Sequence, residues 1–331
     1  MTLSNPDTEN ADIHPLITVG ITCFNAEQTI ARAIRSALAQ DWPNLEVVVV
    51  DDASTDQSWM MIERMVAEDA RVKPLRHAVN GGAAAARNSL IAAASGEWLA
   101  FFDDDDESLP ERVRVQHDAL CQYETETGAK LIACYATGLR RYPNGYALNL
   151  PAIGSQPIVP YGELVADYLL FNDRRSGVFY GAGTPTCSLM SRLSTFKSIG
   201  GFDTNLRRVE DVDFAIRLAL SGGHFIGCPQ HLFTQYATEA SDKTPSKNLE
   251  AELQLIDKHM TYLKSRKRYG YARDWFHIRY FHFSRQRLKF FWALFIFLLR
   301  HPLSGTTHLL RSAPNRLLHE RGMQQQTGET S

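Results

Sequence analysis

With 331 residues, 44% of them apolar, the chain is long enough to bury a sizeable core as one large domain or two smaller ones. A net charge of −2 hides an uneven spread: Lys264 to Arg321 holds 13 Lys or Arg against two acids, leaving 22 bases and 35 acids elsewhere. The five cysteines, Cys23, Cys121, Cys134, Cys187 and Cys228, are odd in number and form no CxxC pair, which suggests neither a disulfide framework nor a zinc site and fits a reducing, cytoplasmic compartment.

The polar start, MTLSNPDTENADIHP, lacks the apolar core of a signal peptide, and residues 1–14 are expected to be disordered. Leu16 to Cys23 then reads as a β-branched buried strand. Ile30, Ala33, Ile34, Ala37 and Leu38 recur at helical spacing, with Asn25 placed to cap them. After the turn Trp42-Pro43-Asn44, Leu45 to Val50 is a strand that runs into Asp51-Asp52. Ser54 to Asp69 reads as a helix and Val72 to Leu75 as a weaker strand. Asn80-Gly81-Gly82 opens an alanine-rich helix, Ala83 to Ala94, and Trp98 to Phe102 is the next strand. This alternation implies an α/β fold with a mainly parallel sheet buried on both faces.

Residues 128–186 are less periodic. Ser188 to Met190 reads as a short strand end, Gly200 to Asp203 as a turn, and Val209 to Leu220 as a helix stopped by Gly222-Gly223. The longest apolar run, Phe290 to Leu299, is too short to span a bilayer.

Four consecutive carboxylates, Asp103 to Asp106, follow the strand that ends at Phe102. Like charges at a strand end repel, and a hard divalent cation with oxygen ligands offsets that repulsion. Such an ion commonly shares its shell with a substrate's phosphates. The alternative is a solvated acidic turn. Ligands of parallel sheets bind beyond the carboxyl ends of the strands. Three such ends carry polar groups here: Thr22 to Asn25, Asp51-Asp52, and Asp103 to Asp106. Their coincidence favours a binding site. Gly81 and Gly82 let backbone approach a ligand, but the spacing is neither GxGxxG nor a P-loop.

Five stretches in this order resemble the family-2 inverting glycosyltransferases of the GT-A fold. They are ITVGITCFNAEQTIARAIRSALAQDWPNLEVVVVDDASTD, NGGAAAARN, GEWLAFFDDDDESLPERV, GGFDTNLRRVEDVDFAIRLALSGG and the strand near Tyr236, together covering roughly residues 15–240. The resemblance implies a GT-A domain over residues 15–242 and a helical basic and aromatic extension over 243–331. It implies transfer of one sugar from a nucleoside-diphosphate-sugar donor to an acceptor hydroxyl, with inversion, in polysaccharide or glycolipid assembly.

Donor contacts implied by the family are Thr22, Phe24, Asn25, Glu27, Asp51, Asp52, Gly82 and Arg87, with Asn88 on the same helix. From the residues alone, Phe24 is also readable as core, Asn25 as a helix cap and Arg87 as a surface ion pair. The acidic run resembles the family's DXD motif, with Asp103, Asp105 and Asp106 at the matching positions for Mn²⁺ or Mg²⁺ and Asp104 at the variable place on the donor side. Asp105 is favoured as the direct ligand, with Asp106 the alternative. Glu210-Asp211 resembles the family's ED pair. Asp211 is then the base that takes the acceptor's proton, with Glu210 the alternative; acids at a helix start are favourable in any case.

Two departures stand out. Many relatives carry a histidine shortly after the tyrosine of the last core strand; here the stretch is Tyr236-Ala237-Thr238-Glu239, so either Glu239 stands in or the role is absent. No QxxRW motif follows Asp211, which points to one sugar added per encounter.

The segment Lys264 to Arg321 mixes bases with aromatics. Three readings apply: a membrane-interface segment on the inner leaflet, a helical bundle packed on the catalytic domain, or a nucleic-acid surface. The apolar run favours lipid or protein burial, so no nucleic acid is expected, and a lipid-linked saccharide joins free saccharide as a candidate acceptor. Two other functions compete. A sugar nucleotidyltransferase needs a glycine- and lysine-bearing loop that ITCFNAE lacks, and a non-catalytic nucleotide- or saccharide-binding protein has no use for Asp211.

Overall fold

The computed structural model describes residues 14–237 and 244–310. Glu239 and nearly all of the expected disordered start lie outside the described residues. The first half alternates as expected: β1 (Ile17–Cys23), α1 (Ile30–Leu38), β2 (Leu45–Asp51), α2 (Ser58–Glu68), β3 (Val72–Arg76), α3 (Ala83–Ala93) and β4 (Trp98–Asp103). These four strands pair in parallel in the order β3-β2-β1-β4. Pro74, which has no N–H for a ladder, sits on β3 at the edge.

Period-two patterning splits β2 between the sheet's two faces. Val48 and Val50 join one buried cluster, Val47 and Val49 the other. The sheet is thereby covered on both sides. Register sets the site: Thr22 lies beside Asp103, and Cys23 beside Asp51. The three polar strand ends therefore open on one edge.

One boundary differs. α2 starts at Ser58 rather than Ser54, because the intervening loop is tied to the loop after β1. The Ser54 and Ser58 hydroxyls accept bonds from the Asn25 and Ala26 N–H groups, at 2.9 Å and 2.8 Å.

The second half adds β5 (Glu107–Ser108), α4 (Arg112–Thr127), β6 (Ile132–Arg141), β7 (Ala147–Leu150), α5 (Glu163–Phe171), β8 (Leu189–Arg192), α6 (Leu193–Ile199), α7 (Glu210–Leu220) and β9 (His224–Tyr236). The sheet continues β4-β8-β6-β9-β5, with β7 on β6. β8 runs antiparallel to both neighbours, while the long β6–β9 pair is parallel.

Four helices follow: α8 (Pro245–Lys258), α9 (Met260–Ser265), α10 (Tyr269–Phe283) and α11 (Arg287–Arg300); residues 302–310 are also helical. Thr244 caps α8, its hydroxyl accepting from the Lys247 N–H, and Pro245 fits the first turn. Leu255, Ile256, Leu263, Tyr271 and Phe276 are buried in the same cluster as Leu170 of α5 and Phe214 of α7. Packing on the α/β domain thus accounts for much of the extension. Among the described residues no helix is long and apolar enough to cross a membrane.

A charged joint fastens α8 to α7. Asp213 is fully buried and meets His259 Nε2 at 2.9 Å, Lys258 Nζ at 2.9 Å and Arg217 Nε at 2.8 Å. Burial alone pushes this carboxyl up, but the bonds from His259, Lys258 and Arg217 outweigh it and bring it down to about 2.

Candidate active site

A cleft of about 720 Å³ opens at the carboxyl ends of β1, β2 and β4. Thr22 and the half-exposed Phe24 line it from β1 and its loop, Asp52 from β2, and Gly82 and Arg87 from the start of α3. Asp103, Asp104 and Asp105 line it from the end of β4. The lining also carries cations: Arg207 and Arg208 precede α7, and Lys247 lies on α8 beside Glu250 and Gln254.

Asp52 shapes the cleft as well as lining it. Its carboxylate accepts the N–H groups of Gly81 at 2.9 Å and Gly82 at 2.7 Å, and lies 2.7 Å from His77 Nδ1. This folds the glycine turn onto the strand end. Gly82 has φ +85°, and a Cβ there would lie 2.7 Å from Arg207 Nη1. Glycine thus admits the arginine to the cleft.

Three of the expected donor contacts are committed to holding the loops. Asn25, at φ 50°, accepts the Thr55 N–H at 2.8 Å; it does not cap α1, which begins at Ile30. Glu27 accepts the Gln57 N–H at 2.9 Å. Asp51 is fully buried against Arg76 at 3.0 Å. None of the three lines the cleft. Asn88 likewise turns away: its amide pairs with the Phe202 backbone in both directions at 2.8 Å, pinning the turn before α7.

The acidic run divides. Asp104 accepts the Phe24 N–H at 3.0 Å. Asp106 is buried behind the cleft, with Oδ1 lacking any hydrogen-bond partner. Burial pushes both Asp104 and Asp106 up to about 8, and their carboxylate neighbours add to it. Burial also raises Asp103, against the guanidinium groups of Arg87 and Arg112. Arg112 is buried below the run, where it donates to the carbonyls of Phe101 and Cys187 at 2.9 Å and 2.8 Å.

A cation fits this donor set. Ligand atoms of Asp103, Asp106 and Cys187 lie within 4.8 Å of one another. Two carboxylates, one with an orphan oxygen, suit a hard divalent ion. The Cys187 thiol does not, since burial and then Asp103 and Asp106 push it well above the usual thiol range. Asp105 faces the cleft outside that group, and its backbone carbonyl accepts from Arg32 at 2.5 Å.

Glu210 and Asp211 open α7 behind Arg87 and are not among the cleft-lining residues. Arg87 donates to Glu210 at 2.5 Å and also feels the charges of Asp103 and Asp211. It thus joins the acid pair of α7 to the acidic run of β4. Burial, then the adjacent Glu210 carboxylate, raises Asp211 to about 6.

The sequence reading missed the α8 wall. Its signal was the set Lys247, Glu250, Ala251 and Gln254, which share one helix face at i, i+3, i+4 and i+7. It also passed over Arg207 and Arg208, two bases one residue ahead of the acid pair.

Residues 18–165 match the family described as Glycosyl transferase family 2. A crystal structure of Staphylococcus aureus TarS in complex with UDP-GlcNAc aligns with a TM-score of 0.58 at 21% identity, over 86% of this chain and 80% of that one. An uncharacterized protein of Mycobacterium tuberculosis is 29% identical over 249 residues, 70% of each chain. An Escherichia coli protein, UDP-Glc:alpha-D-GlcNAc-diphosphoundecaprenol beta-1,3-glucosyltransferase WfaP, is 36% identical over 68 residues, 20% of this chain and 26% of its own. The chain spans between 21% and 27% of the length of the first curated relatives it matches.

Proposed function

We propose that this chain, whose residues 18–165 match glycosyl transferase family 2 and whose fold is GT-A, moves one sugar from a nucleoside-diphosphate-sugar to an acceptor hydroxyl, with inversion. The observation that carries this reading is the cleft itself. Three aspartates at a strand end share the lining of a cleft of about 720 Å³ with Arg207, Arg208 and Lys247. A diphosphate in such a cleft meets both cations and a cation-binding set.

Phe24 offers its exposed ring to the nucleoside base, and Thr22, Asp52 and Asp104 offer oxygens to base and ribose. Gly82 lets backbone and Arg207 close on the phosphates. Asp103, Asp105 and Asp106 are the residues that would hold Mn²⁺ or Mg²⁺. Such an ion, when bound, supplies charge neutralisation for the leaving diphosphate.

Arg87 holds Glu210 and sets its charge beside Asp211. Asp211 takes the proton from the acceptor oxygen as that oxygen attacks the anomeric carbon; the glycosidic bond forms as the bond to the diphosphate breaks. Its raised carboxyl, near 6, suits a base that must accept a proton close to neutrality. Asn25, Glu27 and Asp51 act through the loops that shape the cleft.

The acceptor is a saccharide or lipid-linked saccharide in polysaccharide or glycolipid assembly, met with the protein peripheral on the inner face of the membrane. A thermal-shift screen of nucleoside diphosphates with and without Mn²⁺, followed by transfer assays with the matching sugar donors, tests the reading. A stabilising diphosphate whose effect needs Mn²⁺, together with transfer, supports it. Donor binding without transfer to any saccharide acceptor sinks it.

A further inference from the structure

α11 turns five of its ten large apolar side chains outward. Leu288, Trp292, Phe295 and Leu299 recur at i, i+4, i+7 and i+11 and share one face. They are 88%, 67%, 53% and 64% exposed, and Leu303 beyond them is 85% exposed. On the other side Phe297 is buried against Tyr271 and Trp275. The helix is therefore held by one side only.

Charge says what covers the other side. From Trp275 to His319 the sequence holds seven Lys or Arg and no acid. Arg285, Arg287 and Lys289 flank the start of the apolar face, and none has a carboxylate partner among the described residues. Leu303 also walls a cleft of about 330 Å³ with Arg174, Arg268, Ser304 and Thr307, which Asp173 shares. Arg268 donates to Ser304 Oγ at 3.3 Å and lies over the Tyr271 ring at 5.2 Å. Guanidinium and hydroxyl groups together suit phosphate oxygens. A second copy meeting it through the same face would bring the same positive charge to the contact and be repelled. An anionic surface is attracted.

We propose that α11 and residues 302–310 dock on an anionic phospholipid bilayer, the apolar face entering the acyl boundary and the cleft beside Leu303 receiving a headgroup phosphate. A helix of 14 residues is about 21 Å long, short of the roughly 30 Å hydrocarbon core, so it lies in the interface plane. Such docking rests on the membrane-peripheral placement given above, yet it is measured without any transfer reaction.

The experiment is co-sedimentation of the full chain with vesicles of phosphatidylcholine alone or with one-third phosphatidylglycerol. The intact protein is expected to bind the anionic vesicles and to lose affinity with salt. Trp292→Glu with Phe295→Glu is expected to lower that binding at least ~10-fold, because both side chains leave an apolar phase. Arg268→Gln is expected to lower it about 5-fold on anionic vesicles only, the effect of one cation near the surface. Brominated lipid is expected to quench tryptophan fluorescence in the intact protein and not in Trp292→Phe. An unchanged thermal shift with nucleoside diphosphate confirms that the variants stay folded. Vesicle binding indifferent to the double substitution overturns the proposal. So does quenching that persists in Trp292→Phe, and so does a dimer in light scattering that the double substitution dissolves while vesicle binding is nil. Docking without transfer would refute the enzymatic reading alone; transfer without docking would refute this surface alone.

Discussion

His259 Nε2 and Asp213 Oδ1 lie 2.9 Å apart across 46 residues of sequence, and this contact joins the end of α8 to the first turns of α7. The same α7 carries Glu210 and Asp211, and the same α8 supplies a wall of the cleft. Anchorage and site geometry therefore share two helices.

Replacing Asp213 by Asn removes the charge that Lys258, Arg217 and His259 surround. Breaking one side of such a buried set costs ~3–5 kcal/mol, so urea unfolding at pH 7 is expected to show a loss of that order. The acid dependence has a definite sign. The folded carboxyl sits near 2, below the ordinary 3.8, so its contribution is complete above about pH 4 and is lost as pH falls toward 2. Between pH 4 and 2 the intact protein should lose stability more steeply than Asp213→Asn. Parallel curves would refute the assignment.

Asp211→Asn is expected to lower kcat by ~10²–10⁴-fold, the usual share of general-base catalysis, with donor binding retained. In the intact enzyme the working form is the carboxylate. With its pKa raised to about 6, kcat should climb as pH rises from 5 to 7 and then level off. Initial rates across that range, alongside a donor titration of the variant, check both points. Undiminished transfer by the variant would remove Asp211 from the role.

Chelation tests the acidic run. EDTA is expected to abolish transfer and to erase the diphosphate's thermal shift, and added Mn²⁺ to restore both. Asp103→Asn should weaken the metal-dependent part of donor binding by at least ~10-fold, since one oxygen ligand of a hard cation is lost. Transfer that persists unchanged in EDTA would sink the metal role.

Arg207 approaches the position a Cβ on Gly82 would fill. Arg207→Gln is expected to raise the donor KM ~10-fold, as one charge-assisted phosphate contact is removed. Gly82→Ala should do the same and also cost about 1 kcal/mol of stability, because φ +85° strains any other residue. Steady-state kinetics with varied donor, plus a melt of each variant, separate the two effects. An unchanged donor KM in Arg207→Gln would exclude the phosphate contact.

In the parallel half of the sheet, β2 and β4 were readable because each is an apolar run that stops at a carboxylate. Val47 to Val50 yields to Asp51, and Phe101-Phe102 to Asp103. β6 was not readable, and β9 only at its end near Tyr236, through the resemblance. Their pairing shifts register between Ala136 and Gly138 beside Pro229, which obscures any regular alternation. α4 hid for another reason: its buried face includes Arg112 and Gln116, polar residues satisfied by backbone carbonyls that no local pattern reveals. Within the site, residue types were legible but their partners were not. Asn25 and Glu27 stand where a ligand contact fits the chain order, yet each bonds the loop after β2, some 30 residues away.

The α8 wall has a consequence for how the protein is made. Every strand of the sheet, and the acidic side of the cleft, emerges from the ribosome before Pro245. Chains fold from the N-terminus as they emerge. A nascent chain thus holds a finished sheet beside a half-built pocket, and gains its α8 wall only when Lys258 and His259 reach Asp213. The cleft takes its full lining only with the last anchoring contact.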